Sequence, residues 1–71
     1  MKRTPVQSRS LRALGYDPEQ RVLEVEFRSG ALYRYEQVPP AVVQALLEAD
    51  SLGRYFNQVF KPQHYTYRRL A

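Results

Sequence analysis

The chain contains no cysteine among its 71 residues, so neither disulfides nor a thiolate metal site can supplement its core. It has a single histidine, His64, which leaves Ser/His/Asp chemistry or a histidine metal site nothing else to build on. Gly15, Gly30 and Gly53 are scattered singly, so there is no glycine-rich phosphate loop. No apolar run approaches the roughly 20 residues that a membrane span needs. The basic opening "MKRTPVQSRS" is not followed by the hydrophobic segment of a secretory signal. A soluble cytoplasmic chain, with no membrane partner and no cofactor, is the expectation. Acidic residues are also missing from both ends: residues 1–16 carry Lys2, Arg3, Arg9 and Arg12, residues 51–71 carry Arg54, Lys61, Arg68 and Arg69, and neither stretch has an Asp or Glu.

What is present fits one small domain. A chain of this length buries roughly 60% of its unfolded surface and reaches a stability of about 3–5 kcal/mol from apolar contacts alone. The net charge is +4, and all seven acids lie between Asp17 and Asp50. Two basic ends brought together would form a surface suited to a polyanion such as nucleic acid. The composition also admits a second explanation. Nine of the eleven basic residues are arginine and isoleucine is absent, a pattern that codon usage produces without any ligand.

Residues 1–7 read as a flexible lead-in, because Thr4-Pro5 disfavours regular structure. "SLRALGY" (10–16) reads as a first strand, ended by a turn in which Asp17 and Pro18 hold the first two places. In "RVLEVEF" (21–27), Leu23, Val25 and Phe27 alternate with Glu24 and Glu26, the pattern of a half-buried strand. "RSG" signals a hairpin, and "ALYRYEQV" follows as a third strand.

The loop length decides which face Tyr33 and Tyr35 join. A two-residue loop at Ser29-Gly30 buries Arg34 and Glu36 beside Phe27 and Val25. A three-residue loop, Ser29 to Ala31, sets Phe27 opposite Tyr33 and Val25 opposite Tyr35, leaving Glu24, Glu26, Arg34 and Glu36 outside. Unpaired charges in a core cost several kcal/mol each, against about 1.5–3 kcal/mol for exposing Leu32. The second register is preferred, and the tyrosine pair is read as core wall, not as a platform for bases.

"VPPAVVQALLEAD" reads as a helix with Pro39 or Pro40 in its first turn and Val42, Val43, Leu46 and Leu47 as its apolar stripe. Ser51 is suited to cap a second helix. Leu52, Tyr55, Phe56, Val59 and Phe60 form that helix's stripe, and Pro62 is expected to stop it. Gly53 inside its first turn is locally unfavourable by about 1 kcal/mol, which points to close packing against the preceding helix. "HYTYRRL" (64–70) reads as a last strand with Tyr65 and Tyr67 on one face and Thr66, Arg68 and Leu70 on the other. The expected fold is α+β: an antiparallel three-stranded meander, two helices packed on one face, and a C-terminal strand rejoining the sheet.

The ordered set "GYD", "LEVEFRSGALYRYEQVP", "S.G.YFN" and "Y.Y.R" resembles the KTSC domain, from about Ser8 to Leu70. Ser10 stands where that pattern leads one to expect Asn, and "KPQHY" is a longer link than expected before the last tyrosine pair. Domains of that family occur at the C-terminus of some lysyl-tRNA synthetases and as short free-standing bacterial proteins. The resemblance implies a single domain over residues 8–71 and, through the attachment to a tRNA-charging enzyme, RNA binding.

Catalysis is not expected. Glu24 and Glu26 share one exposed strand face, whereas a general acid and base need environments that separate their pKa values. Candidates for nucleic-acid contact are Arg9, Arg12, Arg34, Arg54, Lys61, Arg68 and Arg69 for phosphates, with Tyr65 and Tyr67 for stacking. The rival expectation is a protein-interaction module or homodimer, docking through a strand edge or the apolar helix surface.

Overall fold

The structure, a computed structural model, describes residues 3–71. Five strands form one antiparallel sheet: β1 (Arg3–Pro5), β2 (Leu11–Asp17), β3 (Val22–Phe27), β4 (Leu32–Tyr35) and β5 (Tyr67–Arg69). Their spatial order is their chain order, β1-β2-β3-β4-β5. The expected meander is β2 to β4, and β5 rejoins it beside β4.

The additional strand is β1, which pairs with β2 through Arg3↔Gly15, Thr4↔Leu14 and Pro5↔Ala13. Residues 3–5 are thus not the flexible lead-in that Thr4-Pro5 led one to expect; the rest of that segment's first stretch, residues 1–2, lies outside the described residues. Proline is tolerated in β1 because an edge strand needs only half of its amides for the ladder. The first and last strands, β1 and β5, occupy opposite edges of the sheet, four strand spacings or roughly 19 Å apart, so Arg3 does not join Arg68 and Arg69 in one patch.

The β2–β3 turn is organised by Asp17, whose Oδ1 accepts from the amides of Glu19 at 3.0 Å and Gln20 at 3.3 Å. In the β3–β4 hairpin, Val25 faces Tyr33 and Leu23 faces Tyr35. The pairing differs by two residues from the one expected. Phe27 donates to the Ala31 carbonyl at 2.8 Å, so the three-residue loop is Arg28 to Gly30 and not Ser29 to Ala31. Gly30 has φ +97°, a backbone that glycine alone adopts without strain. Since side chains alternate with period two, a shift of two leaves every residue on its expected face.

A bulge between Leu11 and Ala13 lets Leu11 and Leu14 both point inward, despite their odd spacing, while Arg12 stays exposed. Leu11, Leu14, Leu23, Val25 and Tyr35 form the sheet's side of the core.

The helical layer covers that face. α1 (Pro40–Glu48) begins with Pro39 and Pro40, as expected, and buries Val43 and Leu46. α2 (Leu52–Tyr55) is capped by Ser51, whose hydroxyl accepts from the Arg54 amide at 3.4 Å. The chain then widens into a π-helical turn (Phe56–Phe60) and tightens into a 3-10 turn (Lys61–Gln63). Pro62 does not stop the helical path. It sits within the new turn, whose end comes at His64 with φ +58°. Leu52, Phe56 and Phe60 are buried, whereas Val59 and Leu47 from the expected stripes are exposed. Gly53 does pack closely, but against the loop before β2 and not against α1: a Cβ there would lie 2.9 Å from Ser8 Oγ.

Candidate functional site

Two surfaces carry the chemistry-bearing residues, one on each side of the sheet. The first is the open face opposite the helices. Cross-strand registration places Arg3, Gly15, Glu24, Arg34 and Arg68 in a single row. Gly15 has no side chain to obstruct that row, so Arg3 reaches across β2 and its Nη1 donates to Glu24 Oε1 at 2.9 Å. Its Nε also lies 3.7 Å from Glu26. Glu24 is therefore engaged by Arg3, although Arg34 is its direct neighbour on β4. Arg34 Nε is buried with no hydrogen-bond partner among the described residues. Arg68 stands directly opposite it on β5. Two arginines are thus cross-strand neighbours, and Glu24, the carboxylate paired with Arg34 on β3, is already engaged by Arg3.

The second surface is a groove of about 490 Å³ where the inner sheet face meets the end of the helical layer. Phe27, Tyr33, Tyr35, Phe60, Tyr65 and Tyr67 supply its rings, with Lys61 and His64 also among the lining residues. Strand alternation puts Tyr33, Tyr35 and Tyr67 on one face, and registration brings the third beside the first two. Tyr33 stacks on Tyr35 (centroids 6.3 Å, planes at 23°) and on Tyr67 (5.6 Å, 25°). Tyr35 meets Phe60 edge-on at 5.0 Å, and Phe60 lies 5.0 Å from Tyr65.

Tyr35 is 6% exposed and Tyr67 is 58% exposed, so the cluster runs from core to solvent. Burial pushes the Tyr35 phenol up to about 12, with the neighbouring Tyr33 and Tyr67 phenols adding to the effect. Lys61 Nζ lies 5.7 Å from the Phe56 ring centroid, a cation–π contact beside the groove. Tyr16, outside this cluster, donates to the Val38 carbonyl at 2.5 Å, and burial raises its pKa as well.

The nine sequence candidates do not form one site. Arg34 and Arg68 share the open sheet face, and Lys61, Tyr65 and Tyr67 share the groove. Arg9 and Arg54 meet at a separate hollow beside Gly53 that also holds Asp50. Arg12 is alone on the β2 bulge. Arg69 is opposite Tyr33, with its Nε donating to the Ala71 carbonyl at 2.9 Å.

Sequence reasoning missed Arg3, because β1 was not legible, and it missed the groove roles of Tyr33, Phe60 and His64. The two "YxY" spacings carried the signal for the groove, since each spacing sets its tyrosines on one strand face. Among the described residues no three His, Asp or Glu side chains converge as a metal site, and no helix is long and apolar enough to cross a membrane.

Comparison with known proteins supplies the wider context. The family model of the KTSC domain matches residues 7–65. An uncharacterized protein of Stutzerimonas stutzeri is 80% identical over 70 residues, covering 99% of both chains. A lysine–tRNA ligase of Nostoc sp. is 38% identical over 61 residues, a match that takes in 86% of this chain and 11% of the ligase. The crystal structure of a KTSC domain protein from Yersinia pestis superposes with a TM-score of 0.91 at 37% identity, covering 99% of this chain and 97% of that one.

Proposed function

The chain belongs to the KTSC domain family, and on that footing we propose that it is a small, non-catalytic accessory domain that binds RNA or another nucleic acid through surface arginines. The carrying observation is the Arg34–Arg68 pair on the open sheet face, where Arg34 Nε has no hydrogen-bond partner among the described residues and Arg3 occupies Glu24. Like charges opposed across neighbouring strands repel one another, and a phosphate held by both arginines relieves that repulsion while accepting the bidentate contacts that the planar guanidinium favours. The relationship to a segment of lysine–tRNA ligases supports the same reading, since those proteins act on tRNA. A cytoplasmic location accompanies it.

The test is affinity for a short single-stranded RNA measured across a range of salt concentrations. Log K should fall with log salt by roughly 0.7 per phosphate contact. Replacing Arg68→Glu together with Arg34→Gln should reduce that slope by about 1.4, the share of two contacts. Affinity independent of salt overturns the electrostatic reading. The rival, a docking or self-associating module, draws on Leu47 and Val59, which are 53% and 39% exposed on the helical layer. That reading would leave RNA unbound and give a mass that rises with concentration in light scattering.

A further inference from the structure

We propose that the aromatic groove at the β4–β5 edge holds one unpaired base of a single-stranded nucleic acid, stacked on Tyr67, with the attached phosphate at Lys61 and His64. The inference rests on the nucleic-acid reading above and deepens it. It assigns the base to one side of the sheet, away from the arginine row.

Three observations converge on this occupant. The first is shape: three tyrosines lie within 36° of mutual parallelism, and the solvent end of the cluster is Tyr67, more than half exposed. A cluster of rings with its outermost member open is a platform for one more flat ring, and base stacking on aromatic side chains is tolerant of sequence. The second is volume: about 490 Å³ falls within the range of pockets that take small ligands, roughly 300–1,000 Å³. The buried rings of Tyr35 and Phe60 give it a fixed floor, so the space is preformed.

The third is charge. Lys61 and His64 line the groove and no Asp or Glu does, so an aromatic ligand carrying an anionic group matches it better than a neutral or cationic one. A nucleotide combines those two properties. The base must be unpaired, because a base within a duplex keeps its faces covered by its neighbours.

The experiment is an NMR titration of isotope-labelled protein with uridine monophosphate, then with a short oligouridylate as RNA and as DNA. Shifts should centre on Tyr33, Tyr67, Lys61 and His64 with the mononucleotide alone. Tyr67→Ala should weaken binding roughly tenfold to a hundredfold, and Tyr67→Phe should restore it. Tyr67 lies exposed on an edge strand, and the amide spectrum of each variant verifies that the fold survives. Lys61→Gln is the second variant, and it should weaken uridine monophosphate binding while leaving the weaker binding of uridine unchanged.

Oligonucleotide binding that depends on Arg34 and Arg68 but leaves the groove resonances still, with Tyr67→Ala equal to the native protein, overturns this inference and spares the wider reading. Mononucleotide shifts in the groove without salt-dependent oligonucleotide binding do the reverse. Silence toward every probe removes both.

Discussion

Tyr35 brings an ionisable phenol into a core where, among the described residues, no polar or charged residue other than tyrosine is buried. Its raised pKa has a direct consequence for stability. The unfolded chain releases the phenol proton near pH 10, whereas the folded chain holds it to about 12. Between those values the unfolded state binds fewer protons, so stability present below pH 10 is lost as pH rises toward 12. Urea unfolding from pH 9 to pH 12 should show the native chain losing about 1–2 kcal/mol relative to Tyr35→Phe, the loss being incomplete at pH 12 and reduced by solvent screening; equal losses in the two chains would refute the assignment. The inward direction of this side chain was legible in the sequence, because burying Arg34 instead would have cost several kcal/mol. The partial exposure of Tyr33 was not legible, since it depends on how much of that ring β5 covers.

At the scale of elements, β2, β3 and β4 could be read because their alternation is continuous. β1 could not: three exposed residues ending in Pro5 offer no pattern to count. The π-helical turn was hidden for another reason. Leu52, Phe56 and Phe60 recur at four-residue spacing, which suits an ordinary helix equally well, and only the outward rotation of Val59 betrays the wider turn. The pairing of β4 with β5 makes a prediction of its own. Arg34 and Arg68 are directly opposed like charges, an arrangement that destabilises an antiparallel pair. Arg68→Glu should therefore stabilise the free protein by a few tenths of a kcal/mol, and by less at high salt. Thermal unfolding at two salt concentrations measures it. A stabilised variant that has lost RNA affinity would mark Arg68 as a residue that costs the fold something; an unchanged or lowered melting temperature would contradict that account.

At the scale of the molecule, the helical layer meets the loop between β1 and β2 at Gly53. Ser8 Oγ, which a Cβ at Gly53 would crowd at 2.9 Å, accepts from the amides of Ser10 and Leu11, both at 3.2 Å. Gly53→Ala should gain about 1 kcal/mol of helix propensity yet disturb two hydrogen bonds of about 1 kcal/mol each, a net loss of about 1 kcal/mol. In a Ser8→Ala background those bonds are already absent, and the same substitution should become stabilising. A double-mutant cycle by urea unfolding reads the change of sign, and identical effects in both backgrounds would exclude the contact. The sequence showed that Gly53 needed a close neighbour but not which one, because that neighbour lies more than forty residues away in the chain. The same sheet that joins these distant parts also divides the surface, since Tyr67 and Arg68 are consecutive in β5 and face opposite ways. A polymer touching both must curl around the rim of a sheet one strand thick. Double-helical DNA, stiff over about 50 nm, resists so tight a bend, whereas a lone strand folds over it with little resistance. The thinness of that rim would by itself sort flexible chains from rigid ones.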